Sequence, residues 1–280
     1  MIERRRLLVN AEKEPVNYLR FTAAEDCVFT LDLGKYIIQS YYEYVEYSLD
    51  EGVTWNKFFN THKDNPRYNQ TIRIATPTIA SGDSVIWRGK GVSLFPNSGD
   101  YSDYCYFSST GRFYASGNLM TLLFGDEDVK TITYQHAFYR LFKDCTKMLT
   151  APELPATTLA NNCYREMFSG CTSLTTAPEL PATTLATACY NNMFNGCTSL
   201  TTAPELPATT LAGSCYYYMF NGCSNLSYIK ALFTSEPQDT YTKNWVVGVS
   251  ASGTFVKNSA ATWNVVGNNG IPSGWTVQTA

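Results

Sequence analysis

The sequence predicts an α+β protein in three parts: an N-terminal antiparallel β-sandwich, a short right-handed coil of helix-plus-strand units, and a small C-terminal cap. Three observations carry this expectation. Residues 16–125 contain nine short apolar-alternating runs separated by Gly, Asn and Asp, the pattern of a sandwich. From Cys145 a 26-residue unit recurs almost unchanged, and such a period means stacked repeats. After residue 233 the repeat dissolves and Trp245, Trp263 and Trp275 follow, suited to plug the end of a stack. The expected boundaries are 1–15 for an N-terminal segment, 16–125 for the sandwich, 126–233 for the repeats and 234–280 for the cap.

The first segment is basic but polar. "ERRRLL" (Glu3–Leu8) runs into "VNAEKEP" without an apolar core long enough for a secretory signal, and nothing elsewhere approaches a transmembrane span. The reading is an extracellular or cell-surface protein whose signal is removed, or which leaves by another route such as packaging in a virion. Only 16% of the 280 residues are charged and the net charge is −3, which leaves no electrostatic footprint for nucleic acid or an anionic membrane.

The nine runs are "NYLRFTA", "CVFTLDL", "EYVEYSL", "TWNKFF", "QTIRIAT", "SVIWRGKG", "DYCYFSS", "GRFYASG" and "LMTLLFG". Trp55 and Trp87 read as core or sheet-surface anchors. The twenty tyrosines, some clustered as in "YYEYVEY" (Tyr41–Tyr47), suit strand edges and core first and a ligand platform second. One turn is more specific. "YSLDEGVTWNKF" (Tyr47–Phe58) contains Ser48-x-Asp50-x-Gly52-x-Thr54-Trp55. Ser48 and Asp50 are expected to bond nearby backbone amides, Gly52 to supply a positive φ, and Trp55 to pack on the neighbouring strand. This spacing resembles the Asp-box hairpin of sialidases and related glycan-processing enzymes. Its residues are committed to the turn, and one such box does not build the propeller that a sialidase needs.

The repeats are "CTKMLTAPELPATTLANNCYREMFSG", "CTSLTTAPELPATTLATACYNNMFNG" and "CTSLTTAPELPATTLAGSCYYYMFNG", and the second and third differ at only four positions. A partial copy starts at Cys223, and "HAFYRLFKD" (His136–Asp144) is a degenerate copy upstream. Within a unit, Pro181 is suited to open a helix, and Leu185, Cys189 and Met193 at i, i+4 and i+8 make its buried stripe. Gly196 stands where a helix ends left-handed. "CTSLTTAPEL" then reads as a short strand, with Leu200 and Leu206 inward and Pro204 and Pro207 limiting its length.

The unit "MFxGCTSLTTAPELPATTL" resembles the leucine-rich repeats of BspA-like bacterial surface proteins. The matching positions are Phe168, Cys171 and Leu174, then Phe194, Cys197 and Leu200, then Phe220, Cys223 and Leu226. The resemblance spans about residues 132–233 and departs from the family where proline replaces β-branched strand residues in "APELPATTL". It implies a short right-handed leucine-rich-repeat solenoid, surface display, and adhesion to host matrix or other cells. It carries no catalytic motif.

Where a ligand would touch is read from the repeats themselves. Differences concentrate in Asn161-Asn162, Thr187-Ala188 and Gly213-Ser214, and in Arg165-Glu166, Asn191-Asn192 and Tyr217-Tyr218. Both sets are expected off the buried stripe. Drift at idle positions and tuning of recognition both account for the variation, and Tyr216, Tyr217 and Tyr218 form the densest aromatic cluster. The row Thr176, Glu179, Thr202 and Glu205 on the strand side is the other candidate docking surface.

No other chemistry stands out. Nine cysteines occur, seven of them in two repeat columns, without a C-x-x-C pair and with only the isolated His62 and His136 beside them. No metal site and no cofactor are expected. Disulfides are conceivable in such columns, but identical side chains point the same way, which favours buried thiols. "SGDSV" (Ser81–Val85) lacks the context of a hydrolase nucleophile. Glu153, Glu179 and Glu205 would repel one another rather than divide acid and base roles. The expectation is therefore a non-enzymatic surface adhesion protein that recognises a host matrix protein or glycan. A structural or receptor-recognition component of a bacteriophage or secreted particle is the alternative, and a glycan-active enzyme ranks last. The oligomeric state stays open.

Overall fold

The structure is a computed structural model that describes residues 16–33, 44–59, 72–90 and 104–280. The N-terminal segment with its basic run, residues 41–43 of the tyrosine cluster, and His62 lie outside these residues. Strands β1 (Leu19–Ala23), β2 (Phe29–Leu33), β3 (Tyr44–Ser48), β4 (Asn56–Phe59), β5 (Ile72–Ala75), β6 (Ser84–Lys90), β7 (Tyr106–Ser109) and β8 (Phe113–Ser116) fall inside the first eight apolar runs. The ninth run is not a strand. Met120–Phe124 form helix α1, closed by Gly125 at φ 66°, whose N–H donates to the Thr121 carbonyl at 3.0 Å. A short run buried on most of its surface carries no periodicity to tell the two states apart.

The strands form a six-stranded sheet in the order β4-β3-β6-β1-β8-β9 and a three-stranded sheet in the order β5-β2-β7. All of these pairs are antiparallel except the last, where β9 (Met148–Thr150) joins β8 in parallel, so the larger sheet is mixed. Phe21 lies between the sheets, its ring centroid 4.9 Å from Phe107, 5.1 Å from Phe113 and 5.3 Å from Phe29.

The repeats correct the expectation of an α+β leucine-rich-repeat solenoid built of helix–strand units. The protein is nearly all β: among the described residues the only helix is the five-residue α1, outside the repeats. In the stretches expected to be helical, residues alternate in their backbone bonding. Cys163, Arg165, Met167 and Ser169 donate three residues back, to Ala160, Asn162, Tyr164 and Glu166. Asn162, Tyr164, Glu166 and Phe168 donate across to the next repeat, to Thr187, Cys189, Asn191 and Met193, at 2.8–3.0 Å. Every fourth residue has positive φ: Asn162 at 56°, Glu166 at 55° and Gly170 at 78°, then Ala188, Asn192 and Gly196. A left-handed residue at that interval excludes an α-helix and is what a type II turn requires. The result is a ribbon of linked turns, each hydrogen-bonded to the ribbon of the following repeat.

Burial follows the same interval. Cys189 and Tyr190, then Met193 and Phe194, then Cys197 are buried. Equivalent rings stack from repeat to repeat. Phe107, Phe142, Phe168, Phe194 and Phe220 follow one another at 5.5, 5.6, 5.6 and 5.8 Å, and Tyr164, Tyr190 and Tyr216 at 6.0 and 6.1 Å. Each such pair contributes roughly 0.5–1.5 kcal/mol beyond the area it buries. All nine cysteines are buried, and none is in a disulfide. Cys171, Cys197 and Cys223 donate to the carbonyls of Phe142, Phe168 and Phe194 at 3.0–3.1 Å, each tying its repeat to the one before. Burial pushes the Cys145 and Cys163 thiols up to about 12.

Trp245 ends both ring columns, 6.1 Å from Tyr216 and from Phe220, and donates its indole N–H to Gly270 at 2.9 Å. Trp263 and Trp275 are also buried, bonded to the carbonyls of Phe233 and Ser250. Beside them β10 (Tyr228–Ala231), β11 (Thr254–Lys257) and β12 (Thr276–Thr279) make a parallel sheet. One buried core runs from Leu19 to Trp275. Among the described residues no helix is long and apolar enough to cross a membrane.

Candidate functional site: two successive proline-walled grooves

Ala-Pro-Glu-Leu-Pro occurs at 151–155, 177–181 and 203–207. Two prolines in five residues remove the donors that a ladder needs. These segments therefore form no continuous strand, and they and the residues beside them meet their neighbours through isolated parallel bridges such as Thr150 with Thr176, Thr202 with Tyr228 and Leu206 with Ala231. Leu180 and Leu206 point into the core, while Glu179 and Glu205 are exposed. Pro181, expected to open a helix, instead forms a groove wall.

Two open grooves lie between the segments. The first, about 390 Å³, is bordered by Pro178, Glu179, Pro181, Pro204, Glu205 and Pro207. The second, about 260 Å³, repeats the arrangement one unit earlier with Pro152, Glu153, Pro155, Pro178, Glu179 and Pro181. Glu179 borders both. Side chains one rung apart, about 4.8 Å, repel by about 0.9 kcal/mol per carboxylate pair in bulk water. The outer two are engaged by side chains: Glu153 accepts from the neutral Asn17 amide at 3.0 and 3.1 Å, and Glu205 pairs with the Lys230 cation at 2.9 Å. Glu179 has no ion pair or hydrogen-bonded side chain among the described residues. The grooves thus combine rigid apolar walls with a central carboxylate that no side chain among the described residues engages.

Of the residues singled out in the sequence, Thr176, Glu179, Thr202 and Glu205 are exposed along this edge. Tyr216 is fully buried in its ring column and unavailable to a ligand. Tyr217 and Tyr218 are half-buried and edge-to-face at 6.5 Å, with the Tyr218 hydroxyl accepting from Asn244 at 3.3 Å. Asn191 is buried and accepts from the Asn192 amide at 2.6 Å. Glu166, expected to be exposed, is buried. It accepts from Arg140 at 2.8 and 3.1 Å and from Lys143 at 2.7 Å, and Arg165 lies 3.5 Å away. Burial pushes its carboxyl pKa up, but the bonds from Arg140 and Lys143 outweigh this and leave it below the usual value. The proline walls went unrecognised in the sequence, although "APELPATTL" is identical in all three repeats.

The turn after β3 is fixed by its own side chains. Ser48 Oγ accepts from Gly52 N–H at 2.8 Å and donates to Asp50 at 2.7 Å, and Asp50 accepts from Thr54 N–H at 2.8 Å and Thr54 Oγ1 at 2.6 Å. The Thr54 hydroxyl and amide, with Ser48, push the Asp50 carboxyl down to about 2. Trp55 donates to Gly52 at 2.9 Å, and the Arg88 guanidinium lies 3.7 Å over its ring. Every polar atom named here serves the turn. Among the described residues no group of three His, Cys, Asp or Glu side chains could hold a metal ion. No family model, curated protein or solved structure matches the chain.

Proposed function

We propose that this chain is a non-enzymatic binding protein of the cell or particle surface, and that it holds an extended basic polypeptide segment of a matrix or surface protein along its Pro-Glu edge. The observation that carries the reading is the pair of equivalent grooves sharing Glu179. A ligand lying across successive repeats meets the same proline walls twice, and a Lys or Arg between them meets Glu179, the one carboxylate of the three along this edge with no side-chain partner among the described residues. Rigid walls lower the ordering cost of binding, and the carboxylate supplies register more than raw affinity. Sugar hydroxyls would use Glu179 less fully than a cation does, so a protein ligand is favoured over a glycan.

The test measures binding of labelled protein to extracellular-matrix proteins, mucin glycans and intact bacterial cells, at two ionic strengths and with chelator. Saturable, chelator-resistant binding to a matrix protein is expected, with Glu179→Gln weakening it several-fold and more so at low salt. Tyr217→Ala with Tyr218→Ala should change it little. If Glu179→Gln binds as tightly as wild type while the tyrosine pair abolishes binding, the site lies on the turn ribbon and the groove reading is wrong.

A further inference from the structure

We infer that strand β12 is a pairing edge for a second copy of this chain, the two copies joining antiparallel about a two-fold axis at Gln278. β12 is the last strand of the parallel sheet β10-β11-β12. Thr276 and Ala280 donate their N–H groups back to Gly253 and Lys257 at 2.9 Å. Backbone groups alternate sides along a strand, so Thr276, Gln278 and Ala280 serve β11, and Val277 and Thr279 present their N–H and C=O outward. No strand among the described residues takes them up.

Open edges are normally blunted by charge, proline or a bulge. Two other edge strands follow this rule: β4 carries Lys57 and β5 carries Arg73. The edge of β7 is covered differently, because the Phe107 N–H donates to Leu141 at 2.8 Å. β12 is as short as these strands, four residues, but carries no charge, proline or bulge, nor a cover among the described residues. It reads Thr-Val-Gln-Thr, its register with β11 runs without a bulge from Thr254–Thr276 to Lys257–Thr279, and all four side chains are exposed, Val277 at 44%. Neither of its faces is packed, and a strand held by one ladder alone gains most from a second.

The spacing also selects the partner. The two outward residues flank Gln278, so a two-fold axis at Gln278 sets Val277 opposite Thr279 of the other copy, and the reverse. Each such pair exchanges both backbone bonds, about four in all. Gln278 then faces its own copy, amide to amide, and no charges oppose across the axis. The antiparallel arrangement is two-fold symmetric and uses the one open edge of each β12, so it closes after two copies.

The experiment is sedimentation velocity of the full chain over a hundredfold concentration range, alongside Thr279→Pro. Thr279 does not donate to β11, so proline there deletes an outward donor and spares the internal ladder. A concentration-dependent dimer in wild type, and a monomer of unchanged melting temperature in Thr279→Pro, is the expected result. Mild oxidation gives a second readout that no folding defect mimics. Gln278→Cys should cross-link to its own copy, because non-hydrogen-bonded cross-strand pairs sit within disulfide reach, while Thr276→Cys should cross-link far less. The native thiols, all buried, do not compete. A wild type that stays monomeric throughout, or equal cross-linking at both positions, overturns the inference.

Discussion

Glu166 shows how one side chain reverses its expected role. It stands in a variable doublet, yet its carboxylate accepts from Arg140 and Lys143, both from the degenerate copy upstream, and so ties that copy to the first full repeat. Its pKa lies below the usual carboxylate value despite burial. The stabilisation is therefore present above the unfolded pKa of about 4.3 and is lost as pH falls through the lower folded value. Glu166→Gln should cost about 1.5–3 kcal/mol near neutral pH, the range for hydrogen bonds to charged groups. The difference from wild type should shrink steadily below about pH 4. Urea unfolding of both proteins across that range checks it, and a pH-independent difference would assign the cost to packing instead. Tyr216 is the opposite case. The sequence offered a sign that it belongs to the core: tyrosine recurs at 164, 190 and 216 while the two residues after it change.

At the scale of elements, the turn ribbon is the part of the fold that pattern reading got wrong. An i, i+4, i+8 stripe fits a helix of 3.6 residues per turn and also a ribbon with a four-residue interval, and three positions cannot separate them. Two further signals point to the ribbon. Tyr190 and Phe194 sit directly beside Cys189 and Met193 and are equally buried, and Asn or Gly recurs at 162, 170, 192 and 196, where φ is positive. The repeat length, the core columns and the first eight strands were legible because they depend on apolar spacing alone. The grooves were not, because proline was read only as a limit on strands. Gly196 gauges what one left-handed position contributes. A Cβ there would meet nothing nearer than 3.8 Å, so Gly196→Ala reports the backbone alone. It should cost about 1 kcal/mol, and Gly196→Asn less, by thermal or urea unfolding. Ala188, at φ 53° inside the stretch expected to be helical, separates the two readings: Ala188→Gly should not destabilise the ribbon, whereas in a helix interior it would cost about 1 kcal/mol.

For the whole molecule, the consequence of cross-repeat bonding is mechanical. Half of the ribbon's backbone donors in each repeat engage only the next repeat, and the thiol bonds engage only the one before. Under tension such a stack has no bond that spans several layers, so layers should peel off one at a time from the loaded end. Each released layer frees 26 residues of chain, or about 90 Å of extended length. Optical-trap stretching should therefore show successive steps of nearly equal size from the layers of equal length, with the N-terminal sheets yielding separately. A single rupture releasing the whole repeat region would mean that the layers fail together. If the steps are seen, the tandem units act as a graded tether, lengthening under load without letting go all at once.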